Sequence, residues 1–167
     1  MSAILSPINF LPGSLDFVRD FDCGKTHDHQ IELSDWIAKE SVHALANGTS
    51  IWLYKIQEEI AGFGALGLGE LELDTGEIVE VQNIPALAVH VRHQGQGFFH
   101  QIVDHVIEQA KSRINISSPL LTLEVRPENF IKESYRKKGF DYCPGADYFD
   151  KQRNIAYLGM IMNLRRK

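Results

Sequence analysis

LAVHVRHQGQGFFH, residues 87–100, is an apolar strand pattern that breaks into Arg92-His93-Gln94-Gly95-Gln96-Gly97 and then turns helical. A strand is expected over Ala86 to Val91. Downstream, Phe98, Ile102, Val106 and Ala110 recur at four-residue spacing, and Phe99, Val103 and Ile107 form the adjoining stripe. Together they make the apolar face of a helix lying on a sheet, with Asp104, His105, Glu108 and Lys111 largely on the other face. Gly95 and Gly97 lack a Cβ, so the backbone can turn sharply there and approach a ligand closely. The first amides of the following helix have no intrahelical partner, and the helix dipole adds partial positive charge. A phosphate or pyrophosphate suits such a turn, although a plain strand-to-helix connection uses the same residues. The dinucleotide fingerprint fails, because the third glycine it needs falls at His100.

Working outward, Leu120 to Val125 (LLTLEV) is a buried-strand pattern. After Arg126-Pro127-Glu128-Asn129 comes a short helix, Phe130 to Lys138, stopped by Gly139 and followed by Phe140. Upstream, Ile8 to Leu11 is a candidate first strand. Leu33 to Ala46 reads as a helix ended by Asn47-Gly48, and Thr49 to Ile56 as a strand. Gln57-Glu58-Glu59 makes a tight turn into the glycine-rich Ile60 to Leu73, and Asp74-Thr75-Gly76 turns between hairpin arms. Val79 to Val91 is a strand interrupted near Asn83-Ile84-Pro85, since proline cannot donate to a sheet ladder. Cys143 to Met162 supplies the last two strands.

The order of strand, glycine turn, helix, strand, short helix with a tyrosine, Gly-Phe and strand resembles the GNAT superfamily of acyl-CoA-dependent N-acyltransferases. The resemblance is carried by Leu87-Ala88-Val89, the Arg92 to Gly97 turn and Tyr135-Arg136-Lys137-Lys138-Gly139-Phe140, and covers residues 50–145 well. It implies a single α/β (α+β) domain over residues 1–167, with a central twisted mixed sheet of about six or seven strands flanked by helices. It also implies acetyl-CoA as acyl donor and direct attack by a primary amine in a ternary complex. The donor's pantetheine arm would pair with the backbone of Leu87, Ala88 and Val89, in a V-shaped cleft whose other wall starts at Leu120. Its pyrophosphate would lie on the turn from Arg92 through Gln94, Gly95, Gln96 and Gly97 to Phe98. Asn129 stands where such folds often touch the cofactor, at an interval from Tyr135 one residue shorter than usual.

Acyl transfer from a thioester asks for amine deprotonation, positioning and a proton for the leaving sulfur, and no covalent nucleophile. The chain accordingly has no G-x-S-x-G elbow. Tyr135, protonated at neutral pH with an ordinary pKa near ~10, is the candidate general acid. Packing beside Ile131 is its plain structural role. Among carboxylates near the cofactor strand, Glu80 is the preferred general base, with Glu70, Glu72 and the polar Gln82 nearby.

Composition bounds the rest. A length of 167 residues suits one domain with a sizeable core. A net charge of −5 argues against a surface built wholly for nucleic acid. No apolar stretch reaches membrane-spanning length, and the first residues show no secretory pattern, so a cytoplasmic location with Cys23 and Cys143 reduced is expected. His90, His93, His100, His105 and the His27-Asp28-His29 run lack metal-ligand spacing, so no metal is expected. Phe21-Asp22-Cys23-Gly24, followed by Leu33-Ser34-Asp35-Trp36-Ile37, is similar to a toxin branch that acetylates the amino group of charged tRNA and is held by an antitoxin. This makes tRNA and an antitoxin alternative partners. Lys25 to Glu32 separates the two motifs further than that branch usually does, and the acidic balance suits tRNA poorly. A third alternative is a fold that only binds or senses acyl-CoA. Trp36 and Phe63 are candidates for an exposed patch that would allow a homodimer.

Overall fold

The computed structural model describes residues 3–166. In chain order the elements are β1 (Ser6–Asn9), α1 (Asp28–Asp35), a π turn (Trp36–Glu40), α2 (Ser41–Ala46), β2 (Ser50–Ile56), β3 (Glu59–Glu72), β4 (Ile78–Ile84) and β5 (Leu87–Val89). There follow α3 (Phe98–Lys111), β6 (Leu120–Val125), α4 (Ile131–Lys137), β7 (Asp141–Tyr142), β8 (Tyr148–Asp150) and β9 (Ile155–Asn163). This is a mixed α/β fold. Its contacts cluster into two compact units: residues up to Gly67 with Ala86–Glu108, and Leu68–Pro85 with the chain from Gln109 onward.

In the first unit the strands pair antiparallel in the order β1, β2, β3, β5. Side chains alternate across a strand, and β3 uses that alternation to separate two kinds of packing. Phe63 and Ala65 join Phe10, Phe21, Ile37 and Leu53 in one buried cluster. Gly62 and Gly64 face the opposite way, beneath α3. A Cβ on Gly62 would lie 2.6 Å from both the Ala88 carbonyl oxygen and Ile102 Cδ1, and one on Gly64 would lie 2.9 Å from Val106 Cγ2. The helix therefore rests on nearly bare backbone. Its stripe Phe98, Ile102, Val103, Val106, Ile107 and Ala110 is buried as the spacing predicts.

Two expectations change here. The run from Asp28 to Ala46 is helical throughout and begins before Leu33, because α1 buries no residue completely and so lacks the apolar signal. The exposed patch expected of Trp36 and Phe63 does not exist. Phe63 is fully buried, and the Trp36 ring stacks on it at 5.8 Å, so both serve the core.

In the second unit β4 and β6 run parallel, while β6 and β9 pair antiparallel from Leu120↔Asn163 to Val125↔Leu158. β7 and β8 also pair with β9. Leu71, Val81, Ile84, Leu121, Leu123, Phe140 and Met160 fill its interior. The buried Gln82 donates from Nε2 to the carbonyls of Ala110 and Ser118, 2.9 Å each. Pro85 does interrupt the strand: β4 lies between β3 and β6 in the sheet, whereas β5 pairs with β3. Counting both pieces and the short β7 and β8, the described residues form nine strands, seven of them on the main path of the sheet.

Candidate active site

β5 pairs with β3 through Gly64↔Leu87, Phe63↔Ala88 and Gly62↔Val89, and the ladder ends there. The His90 amide donates to Ala61 O at 2.7 Å, and the chain enters a 3-10 turn at Val91–His93. The strand is thus shorter than Ala86 to Val91. Inside the turn, the Arg92 amide donates to His90 Nδ1 at 3.2 Å and the His93 amide to His90 O at 2.8 Å. The next four amides, those of Gln94, Gly95, Gln96 and Gly97, donate to no group among the described residues. Gly95 and Gly97 sit at φ +77° and +82°, a left-handed conformation that side chains disfavour. No atom lies within 4 Å of the place a Cβ would take at either glycine, so the space beside the turn is open. The turn delivers its free amides directly into the first turn of α3, a fourteen-residue helix. That is the arrangement an anionic group favours.

The turn's side chains are mostly engaged elsewhere. Arg92 is exposed, its Nη1 3.9 Å from Glu59 Oε1, while His93 Nε2 lies 3.1 Å from Glu59 Oε2. Gln94, at the surface, folds its side chain back onto the chain, donating from Nε2 to Cys23 O at 2.7 Å and Val89 O at 3.0 Å. Burial holds His90 below the ordinary histidine pKa, and the neighbouring Arg92 and His93 add to that shift.

In the second unit, Asn129 Oδ1 accepts the Ile131 amide at 3.1 Å and so caps α4. The helix starts one residue later than expected, with Phe130 exposed ahead of it, and Gly139 at φ +109° ends it. Tyr135 is buried, its ring edge-on to Phe140 at 5.6 Å. Burial raises its pKa above the ordinary tyrosine value, so the hydroxyl keeps its proton.

A pocket of about 280 Å³ opens in the same unit, lined among others by Glu70, Glu72, Asn83, Glu124, Asp147 and Tyr148. Its wall depends on Gly159, which pairs with Glu124 across the β6–β9 ladder. A Cβ on Gly159 would lie 2.4–2.6 Å from Ala146 atoms, so only glycine lets the 144–146 turn close against β9. Asp147 Oδ1 then accepts the Gly159 amide at 2.8 Å. Asn83 Nδ2 donates to Thr122 O and Oγ1 at 3.2 and 3.1 Å, fixing the neighbouring wall. Glu124 is exposed, as Glu80 is, and partial desolvation still holds its carboxyl above the ordinary pKa.

Glu80 is exposed on β4 and does not line this pocket. Alternation places it on the Gln82 side of the strand, opposite Asn83. Glu124 was not among the sequence candidates, although it is the one charged residue inside the LLTLEV run. Among the described residues no group of three His, Cys, Asp or Glu side chains is placed to hold a metal ion.

A model of the acetyltransferase (GNAT) family matches residues 15–140. The chain belongs to that family. Beside this GNAT match, YsnE of Bacillus subtilis (strain 168), an uncharacterized N-acetyltransferase, is 32% identical over 123 residues, 70% of this chain and 76% of that protein. The ribosomal-protein-S18-alanine N-acetyltransferase of Escherichia coli superposes with a TM-score of 0.70 at 15% identity, covering 98% of this chain and 96% of that one. A mutant of the toxin AtaT, solved with the C-terminus of the antitoxin AtaR and acetyl-CoA, gives a TM-score of 0.68 at 18% identity, covering 93% and 91%. At such identities the two structures share the GNAT fold with this chain, and the acetyltransferase assignment rests on the family match and YsnE.

Proposed function

We propose that this chain moves an acetyl group from acetyl-CoA to a primary amine by direct attack, with Glu124 as proton acceptor and Tyr135 as proton donor. One observation carries the reading: four consecutive amides at Gln94–Gly97, unengaged and opening a long helix, fit a pyrophosphate. Arg92 adds positive charge, Phe98 anchors the helix start, and the backbone of Leu87, Ala88 and Val89 with Asn129 completes the donor set. Because Asn129 Oδ1 is used in capping α4, its Nδ2 is the end left for the donor. Acetyl-CoA supplies an acyl group already activated as a thioester.

On the acceptor side, an alkylamine at neutral pH is an ammonium ion and must lose a proton before it can attack. Glu124 stands in a pocket that also holds Glu70, Glu72 and Asp147, a setting that attracts a cation. Its raised pKa makes it a stronger base than an ordinary carboxylate. We therefore prefer Glu124 to Glu80 for this role. Tyr135 holds its proton at all physiological pH values and can give it to the departing sulfur.

The matched span 15–140 draws on both units, which supports reading residues 1–167 as one acetyltransferase domain. No helix among the described residues is long and apolar enough to cross a membrane, and Cys23 and Cys143 are free thiols. Both facts accord with a cytoplasmic location.

Calorimetric titration with acetyl-CoA, beside thiol release on an amine panel, tests the reading. The parent should bind, Gly97→Glu should not, and Glu124→Gln should bind normally while losing about 10²–10⁴-fold in turnover. The acid limb of kcat/KM should disappear with Glu124, since the base works only when deprotonated. A folded parent that ignores acetyl-CoA would end the proposal. A second reading, acetylation of aminoacyl-tRNA under antitoxin control, is favoured by the Phe21–Gly24 motif alone. Normal growth on induced expression, with unmodified tRNA, would dispose of it.

A further inference from the structure

We infer that Gln94 and the Phe21–Gly24 segment form a brace that holds the donor turn in its binding shape before any ligand arrives. The inference rests on the reading of Gln94–Gly97 as the pyrophosphate site. Both hydrogens of one side-chain amide are spent on carbonyls of separate elements: Gln94 Nε2 donates to Cys23 O at 2.7 Å and to Val89 O at 3.0 Å. A second tie holds the entry to the turn, where the Val91 amide donates to Asp22 O at 2.7 Å. The turn is thus fastened to residues 22 and 23 on both sides of its 3-10 bend.

The segment is itself pinned, which is what a brace requires. Asp22 Oδ1 accepts the Gly24 amide at 2.7 Å, a local turn that leaves Gly24 at φ +114°. Ser34 Oγ accepts the Cys23 amide at 2.9 Å and donates to Gln30 O at 3.0 Å, tying the segment to α1. Phe21 sets its ring edge-on to Phe63 at 5.3 Å and to His90 at 5.2 Å. Each residue of Phe-Asp-Cys-Gly therefore has a task in supporting the turn. Cys23 is 2% exposed and burial pushes its thiol up to about 12, so it acts as packing and not as a nucleophile. A glutamine is required at 94 because two acceptors face it. A carboxylate there would repel both carbonyls.

A loop ordered in advance does not lose that freedom again on binding, so the brace should appear as donor affinity. Gln94 is a positioning residue in this scheme. Its side chain is at the surface, and Gln94→Met keeps its length while removing both donors. Calorimetry should show Gln94→Met weakening coenzyme A binding about tenfold, equivalent to ~1.4 kcal/mol. The loss should fall on donor KM far more than on kcat. Acetyl-pantetheine, which has no pyrophosphate, should serve parent and variant equally well. Ser34→Ala, which unpins Cys23 from α1, should weaken coenzyme A binding in the same direction by a smaller factor, and it carries the test if Gln94→Met does not fold. Affinity within twofold of the parent, or an equal loss with acetyl-pantetheine, overturns the brace. If the parent itself fails to bind coenzyme A, the donor-site reading falls first. If the parent binds and the variants match it, only the brace is lost.

Discussion

Tyr135 joins two demands that usually conflict, because its ring belongs to the interior while its hydroxyl is asked to do chemistry. The ring packs edge-on to Phe140, and the Phe140 amide donates to the Tyr135 backbone carbonyl at 3.1 Å, so the end of the helix sets the residue that packs on the ring. Burial raises its pKa, which keeps the hydroxyl protonated but makes it a weaker acid toward the departing sulfur. The two roles separate by mutation. Tyr135→Phe retains the ring and should leave the melting temperature nearly unchanged, while turnover falls by about 10²-fold or more if the hydroxyl gives up its proton during the reaction. Tyr135→Ala removes the ring as well and should cost about 3–5 kcal/mol of stability. Thermal denaturation run beside the thiol-release assay distinguishes them. A Tyr135→Phe protein with parental turnover would leave the tyrosine a packing residue only.

Among the elements, β3 shows most clearly how the sequence builds a platform. Its Gly62 and Gly64 give α3 a surface without side chains, and that close approach sets where the helix, and hence the donor turn before it, can lie. Gly62→Ala places a Cβ 2.6 Å from backbone at Ala88 O and from Ile102 Cδ1, so something must shift. The expected loss is about 1–3 kcal/mol, as for overpacked cores. Gly13→Ala, which meets nothing within 4 Å, should stay within about 0.5 kcal/mol of the parent in the same urea titration. Equal stability of the two variants would mean that α3 is free to move off the strand. The strand, glycine turn and stripe of α3 were legible in the sequence because each is written in local spacing. LLTLEV was legible for the same reason. The start of the first helical run was not, since α1 is polar and its apolar rhythm begins only at Leu33. Trp36 read as exposed because no local pattern says which face of a helix meets Phe63, distant in sequence. Glu124 was not read as a base for a related reason: its pocket exists only once Gly159 is opposite it and the 144–146 turn has folded against that glycine.

At the scale of the whole molecule, net charge and buried histidine make opposite forecasts for stability at low pH. The chain carries −5 at neutral pH, so mild acidification reduces self-repulsion and by itself should stabilise the fold. His105 works the other way. Its Nδ1 lies 2.7 Å from the hydroxyl of Tyr54, a residue only 1% exposed whose pKa burial drives upward. Tyr54 therefore keeps its proton and can donate it to the Nδ1 of a neutral His105. Burial depresses the folded-state pKa of His105 below its ordinary 6.5, and His90 shifts in the same sense. The unfolded chain then takes up these protons first, so stability is fully present above pH ~6.5 and is lost as pH falls through the window down to the folded values. Glu124, raised from 4.5, has the opposite sign: it favours the fold most at low pH and less as pH climbs through its folded value. Asp150, held below 3.8 chiefly by its hydrogen bond from Arg153, matters only in stronger acid. A fall in melting temperature between pH 7.5 and 5.5 would thus run against both the net charge and the carboxylates, leaving the histidines as its cause. His105→Gln, which can still accept from Tyr54 but takes up no proton, should flatten that slope. Scanning calorimetry at several pH values decides the matter, and parallel profiles for parent and His105→Gln would remove His105 from the account.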